Sequence, residues 1–198
     1  MKNEALEYAK NSFDIEAKAI IETSENMDWA AFSAAVALLA KAGRIATSGC
    51  GHSGIACRHF AHSMCCIERP ARFISPSEAL HGATGFIQAG DVLVAASRGG
   101  KTGELLPIID IAKKKKAYVI SVTENPGSPM AADSDVILPM KVRRETDRHD
   151  AQGTSSFAVL SAVFDALQVA VMEEIGYDGS KFALVHPGGA VGQRLNKL

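Results

Sequence analysis

"VLVAASRGGKTGELLP", residues 92–107, sets a five-residue apolar run directly ahead of a Gly-Gly-Lys-Thr turn and a helical pattern. A run that is apolar at every position, Val92 to Ala96, reads as a strand covered on both faces. The same rhythm recurs on either side. Arg44–Thr47, Arg72–Ile74, Tyr118–Val122 and Val136–Leu138 are further candidate strands, and helical patterns fill about 53–66, 102–115 and 127–132, with a long one over 154–175. Buried strands separated by helices predict an α/β protein, a three-layer α/β/α sandwich around a five-stranded parallel sheet of doubly wound, flavodoxin-like type.

Ahead of the sheet, the first 42 residues read as two helices. Leu6, Ala9, Phe13, Ala17, Ile20 and Ile21 recur at three-to-four spacing and predict one buried stripe. Asn26 or Asp28 caps the next helix, whose buried face would be Trp29, Phe32, Val36 and Leu39, with Gly43 at its end. One domain over 1–198 is expected, with a helical pair at 1–42 and the α/β core and C-terminal tail at 43–198. The chain is 47% apolar and 22% charged with a formal net charge of −1, so nothing in its balance points to nucleic acid or an anionic membrane surface. No secretory leader and no apolar segment of about 20 residues stand out, and a cytoplasmic location is expected. The run Lys113–Lys116 ends the third crossover helix, where it favours the helix dipole and faces water.

Cys50, Cys57, Cys65 and Cys66 lie within 17 residues but match no zinc spacing, so reduced and mostly buried thiols are expected, with a reactive thiol at Cys50 as the alternative. His59 and His62, three apart on one helix, read as packing or pairing residues.

In open parallel sheets ligands bind beyond the carboxyl ends of the strands, where helix amino termini favour an anion. Two loops have that setting: Thr47-Ser48-Gly49-Cys50-Gly51-His52-Ser53-Gly54 and Ser97-Arg98-Gly99-Gly100-Lys101-Thr102. A nucleoside-triphosphate loop needs Gly where Ala95 stands, and no later strand ends in an obvious Mg-holding Asp. A dinucleotide fingerprint would use Gly49, Gly51 and Gly54, but the ribose-binding acid is missing at its usual distance, Glu78 being far. A single phosphate on a sugar suits the pair better. Ser48, Ser53, Ser97 and Thr102 are its candidate donors, with Ser53 and Thr102 also placed as helix caps.

The tail "FALVHPGGAVGQRL" (182–195), with "SGCGHSG" (48–54), "SEALHG" (77–82), "GTSS" (153–156) and "EEIGYDGSKF", resembles the sugar isomerase (SIS) domain family over nearly the whole chain, within it the arabinose-5-phosphate isomerase group. That resemblance implies an aldose–ketose isomerase that needs no metal, nucleotide or other cofactor and works through a cis-enediol. It implies His52, Glu104, Glu145 and His186 as the working set, His81 as a second candidate for ring opening, and His149 as a further residue near the pocket. Ser48, Gly49, Ser53, Ser97, Arg98, Lys101 and Thr102 would hold the phosphate, with Thr154, Ser155 and Ser156 lining the pocket. Ordinary roles compete: Glu104 favours a helix amino terminus, Glu145 pairs with Arg143 or Arg144, and His186 packs in a turn. The tail implies a homodimer or homotetramer, since in this family it reaches a partner subunit's site.

Four departures from the family pattern stand out. His52 occupies the place of a Lys; Gly99 removes a hydroxyl while Arg98 and Lys101 add charge; Ala83 follows His81-Gly82 in place of an acid; and the sequence ends at Leu198, ahead of the CBS domains many members carry. A cation from Lys101 or Arg98 would then replace the missing Lys. Alternatives are a 6-phospho-3-hexuloisomerase and a non-catalytic sensor of sugar phosphates.

Overall fold

A computed structural model describes residues 3–195. Strands β1 (Ile45–Gly49), β2 (Ala71–Phe73), β3 (Val92–Ala96), β4 (Tyr118–Thr123) and β5 (Val136–Pro139) form one parallel sheet in the order β2-β1-β3-β4-β5. Each expected strand is present, with no end shifted by more than two residues. The helices among the described residues are α1 (Asn3–Glu25), α2 (Trp29–Lys41), α3 (Gly51–Cys66), α4 (Pro76–Ala79), α5 (Leu106–Lys114), α6 (Pro129–Ala132), α7 (Ser155–Glu174), α8 (Gly179–Val185) and α9 (Gly189–Leu195). A 3₁₀ turn covers Ala83–Phe86.

Alternation along the strands builds two cores from one sheet. Val92, Val94 and Ala96 of β3 face one side, with Phe60, Met64, Phe164 and Leu167 from α3 and α7. Leu93 and Ala95 face the other, against Ile108, Ile109 and Ala112 of α5. Phe60 and Phe164 stack with ring centroids 4.5 Å apart and tie α3 to α7. This is the three-layer α/β/α arrangement expected from the apolar runs.

Several local expectations change. α7 is 20 residues and holds an 18-residue window with a mean hydropathy of 1.6, long and apolar enough to cross a membrane, contrary to the reading that no such segment exists. Its burial against α1, α2 and α3 accounts for that composition: Val159, Leu160, Val163, Phe164, Leu167 and Val171 are core residues. The stripe foreseen on α1 is its outer face. Phe13 is 77% exposed, and Leu6, Ile20 and Ile21 are also open, while Ala19 and Thr23 turn inward. α1 is therefore apolar on two sides. Trp29, expected in the core, is 58% exposed and packs edge-on to Phe32 at 5.3 Å.

Asp28 is the α2 cap, accepting from the Ala30 and Ala31 amides, and the helix ends at Lys41 rather than Gly43. Neither hydroxyl caps as expected. α3 begins after Cys50, so Ser53 lies inside its first turn, and Thr102 precedes α5 by four residues. Lys115 does not face water: its ammonium donates to the Thr84 and Ile87 carbonyls. Of the cysteines only Cys57 is fully buried, and Cys65 is exposed.

Candidate active site

The chain order β1, β2, β3 places β2 and β3 on opposite sides of β1, so the winding reverses between β1 and β3. Loops from these strands part at that point and leave a crevice at their carboxyl ends. A cavity of about 530 Å³ lies there, lined by Gly49, Cys50, Gly51 and Gly54 from the β1–α3 connection, by Ser75, Ser77 and His81 after β2, and by Glu104 after β3. Arg58 and Phe73 complete its wall.

Gly49 and Gly54 of the first loop are there for contact. A Cβ on Gly54 would stand 2.5 Å from the Gly49 carbonyl oxygen, closer than any real carbon approaches. Only glycine lets α3 start directly against the end of β1, with its first amides over the crevice.

The second loop is built differently. Gly100 has φ of +64°, and its amide donates to Ser97 while its carbonyl accepts from Met130. The Ser97 and Thr102 hydroxyls are 2.8 Å apart and bond to each other. Ser48, buried beneath the first loop, donates to the Ile74 carbonyl at 2.9 Å. Three of the four hydroxyls proposed for phosphate thus have partners within the protein. Lys101 is exposed at the loop tip and is not part of the cavity wall.

Glu104 is exposed in the turn that precedes α5, not in the helix's first turn, and shares the cavity with His81. Glu145 stands elsewhere. It is 3% exposed and bound on all sides: Arg98 Nη1 donates at 2.9 Å, the Thr154 amide at 2.9 Å, the Thr154 hydroxyl at 3.1 Å and the Ser156 amide at 3.1 Å. Arg98 also donates to Glu124 at 2.8 Å and to the Val142 carbonyl at 2.9 Å. The partner of Glu145 is therefore Arg98, in place of Arg143 or Arg144. Arg143 binds Glu22 instead.

Burial alone would push the Glu145 carboxyl up, but hydrogen bonds from Ser156 and Thr154 outweigh it and hold the group below the usual carboxylate range. Burial likewise pulls on Arg98, and its bonds to Glu124 and the charge of Glu145 reverse the effect and fix it as a cation. The Cys50 thiol is pushed up by burial and by the charge of Glu104, which disfavours the reactive-thiol reading.

His52 turns from the cavity toward the start of α7. A Cβ on Gly153 would meet its ring at 2.8 Å, and its centroid is 6.3 Å from that of Phe157. Ser155 is fully buried, and its hydroxyl has no hydrogen-bond partner among the described residues. His186 follows α8 and stacks on Phe182 at 4.0 Å, outside the cavity wall, with Nδ1 buried and unpartnered among the described residues. His149 lies in a different surface depression beside Glu4 and Tyr8. His59 pairs with Asp165 at 3.2 Å, and His62 meets Cys66 at 3.6 Å. No group of three or more metal-ligating side chains occurs among the described residues.

The sequence reading gave no site role to Arg58, Ser75 or Ser77, the last of which it met only as the start of "SEALHG". Arg58 follows Gly51 and Gly54 at seven and four residues, the spacing that puts all three on one face of α3. That signal was present, four residues beyond the "SGCGHSG" motif.

The SIS domain profile matches residues 38–170. The chain is 37% identical over 158 residues to arabinose 5-phosphate isomerase KdsD of Pseudomonas aeruginosa, covering 80% of this chain and 48% of that protein. It is 35% identical over 153 residues to KdsD of Escherichia coli K12, covering 77% and 47%. It therefore spans about half the length of the curated relatives it matches. Among solved structures, a Listeria monocytogenes protein described as a sugar-phosphate isomerase candidate superposes with a TM-score of 0.91 at 39% identity, covering 95% of this chain and 99% of that one. An Escherichia coli CFT073 protein in complex with A5P superposes with a TM-score of 0.88 at 28% identity, covering 94% and 100%. With its sheet order, its crevice and these matches in agreement, the chain belongs to the SIS domain family, as a homologue of the arabinose 5-phosphate isomerases.

Proposed function

We propose that the chain is a phosphosugar aldose–ketose isomerase that interconverts arabinose 5-phosphate and ribulose 5-phosphate. The observation that carries this reading is Glu104: a carboxylate with no hydrogen-bond partner among the described residues, in a crevice at the sheet's switch point whose wall also carries a histidine. In the open-chain aldose, Glu104 would take the C2 proton. The electron pair forms the C1–C2 double bond of a cis-enediol as the carbonyl oxygen gains a proton. Return of the proton to C1 and loss of the C2 hydroxyl proton give the ketose, so no electron leaves the sugar. His81, in the same wall, would serve ring opening and oxygen-to-oxygen proton transfer, since an imidazole can both accept and donate a proton.

Glu145 has a different assignment. A carboxylate held below its usual range is a weak base, so its part is to fix Arg98 and the first turn of α7 behind the site. The crevice is open, and His186 stands outside it on the tail. The outer apolar face of α1, with Phe13, Ile20 and Ile21, supports a homo-oligomer in which a second copy covers that face and its tail completes the site. Light scattering on the purified protein tests the assembly: a monomer at micromolar concentration rejects it.

The deciding experiment incubates the protein with arabinose 5-phosphate in deuterated water. Ribulose 5-phosphate carrying deuterium at C1 establishes the reaction. Conversion of a hexulose 6-phosphate in its place shifts the substrate, and binding without conversion of any pentose or hexose phosphate leaves a sugar-phosphate sensor.

A further inference from the structure

The loop after β3 is gripped by the segment that follows β4, and the grip is on its carbonyls. Arg98 accepts from the Glu124 amide at 3.0 Å and from the Thr123 hydroxyl at 3.0 Å. The Gly99 carbonyl meets the Asn125 side-chain amide at 3.5 Å, and the Gly100 carbonyl accepts from the Met130 amide at 3.2 Å. A trans peptide points its C=O and its N–H in opposite directions. With the Arg98 and Gly100 carbonyls drawn toward residues 123–130, the Gly99 and Lys101 amides point away from that segment. Both residues are exposed, and neither amide has an acceptor among the described residues. Backbone amides left open in a turn are suited to an anion.

Thr123 is the side chain on which this arrangement turns. It ends β4 and is fully buried. Its hydroxyl donates to the Arg98 carbonyl and accepts from the Asn125 amide at 3.2 Å, so its orientation is fixed from both sides. Its own carbonyl stays in the sheet, accepting from the Met140 amide at 3.0 Å. The turn also rests on it directly, since a Cβ on Gly100 would fall 3.0 Å from the Thr123 hydroxyl oxygen. One residue thus ties the end of a core strand to the direction of an exposed amide.

We infer that Thr123 is a positioning residue for phosphate binding: it holds the Arg98 carbonyl and so aims the Gly99 amide outward, where the substrate's phosphate docks. The inference deepens the isomerase reading and rests on it, with the loop after β3 as a phosphate loop. Thr123 acts only through that loop and touches no ligand itself.

T123V keeps the side chain's shape and removes the hydroxyl. Its affinity for inorganic phosphate, read by calorimetric titration, falls by roughly 5- to 20-fold. That is less than for a deleted hydrogen bond to a charged group, because the Glu124 amide still holds the Arg98 carbonyl. KM for arabinose 5-phosphate rises by the same factor while kcat stays within about threefold, a split that lost stability alone would not give. T123S retains the hydroxyl and stays within about threefold of wild type in both measurements. S121A is the control: Ser121 is equally buried on β4, but its hydroxyl bonds to Met130 and Ser134 rather than to the loop. Its phosphate affinity stays within about threefold of wild type. If T123V does not fold, T123A replaces it, judged by its melting curve. Unchanged phosphate affinity in the hydroxyl-free variant, or an equal loss in S121A, overturns the positioning role. Phosphate binding that depends on the Thr123 hydroxyl, without turnover of any sugar phosphate, upholds it and rejects the isomerase reading. Turnover with an unchanged KM in T123V does the reverse.

Discussion

Glu104 and Glu145 enter the sequence reading as equals, two carboxylates after two strands, and the fold separates them. Glu145 is nearly fully buried and receives four hydrogen bonds from Arg98, Thr154 and Ser156. Glu104 stands in a turn at the crevice and receives none from the described residues. A satisfied carboxylate stabilises the loops around it, whereas one without internal bonds is available to a ligand. The pair shows how a site can divide scaffold from chemistry using one residue type.

Glu104→Gln breaks the comparison from the open side and carries the largest expected effect. The amide keeps the shape and loses the base, so kcat for arabinose 5-phosphate falls by about 10²- to 10⁴-fold with the melting temperature unchanged. A variant retaining more than a tenth of wild-type kcat would remove Glu104 from the role of base.

Glu145→Ala breaks the comparison from the closed side. Its loss strands the Arg98 fork and two amides at the start of α7, costing about 2–3 kcal/mol, less than a fully buried pair because Arg98 is a third exposed. Roughly 5–10 °C of melting temperature should go with it. Acid adds a second signature. The folded carboxyl titrates below its ordinary value of 4.5, so the unfolded chain takes up protons first as the pH falls. The contribution is complete above about 4.5 and disappears as pH drops through the folded value. Urea midpoints followed downward from neutral pH should therefore fall less steeply below about pH 4.5 in Glu145→Gln than in wild type. Equal slopes would mean the network adds no differential proton affinity.

The division between the two carboxylates was not legible in the sequence, although most of the fold was. Strands buried on both faces announce themselves as unbroken apolar runs, and β3 matches its reading residue for residue. α1 misled because its periodicity marks two apolar faces, and the conspicuous one, with Phe13, points outward. Burial of Glu145 depends on contacts 47 residues away at Arg98 and 9 and 11 away at Thr154 and Ser156, and no local pattern encodes that convergence. Arg58 escaped for a related reason: its partners, Phe73 and the cavity, come from another strand.

Gly100 joins the two regions, lying between Arg98 of the closed network and Glu104 of the open crevice. With φ at +64°, an alanine Cβ would fall 2.1 Å from the Ser128 hydroxyl and 3.0 Å from that of Thr123. Gly100→Ala must shift the loop, and about 1–3 kcal/mol of destabilisation is expected, with a rise in KM as Glu104 moves. Wild-type stability and kinetics together would show that the loop accommodates a side chain without coupling the two regions.

The smallest effect reads the electrostatics of the open side without turnover. Cys50 shares the cavity wall with Glu104, and burial first and that carboxylate second push its thiol up, so little thiolate is present at neutral pH. Glu104→Gln removes the charge and leaves the burial. Alkylation of Cys50 by iodoacetamide at pH 7.5 should then accelerate by a fewfold, since the thiolate fraction tracks the pKa directly below it. Cys65, exposed on the far end of α3, reports the reagent's intrinsic rate in the same sample, and buried Cys57 stays unmodified. Peptide mapping by mass spectrometry resolves the sites. Acceleration confined to Cys50 locates the Glu104 charge in the crevice, and a parallel rise at Cys65 would trace the change to general loosening. An unchanged Cys50 rate would mean the carboxylate is screened there by water, and that the crevice must close over a substrate before Glu104 is desolvated enough to act as a base.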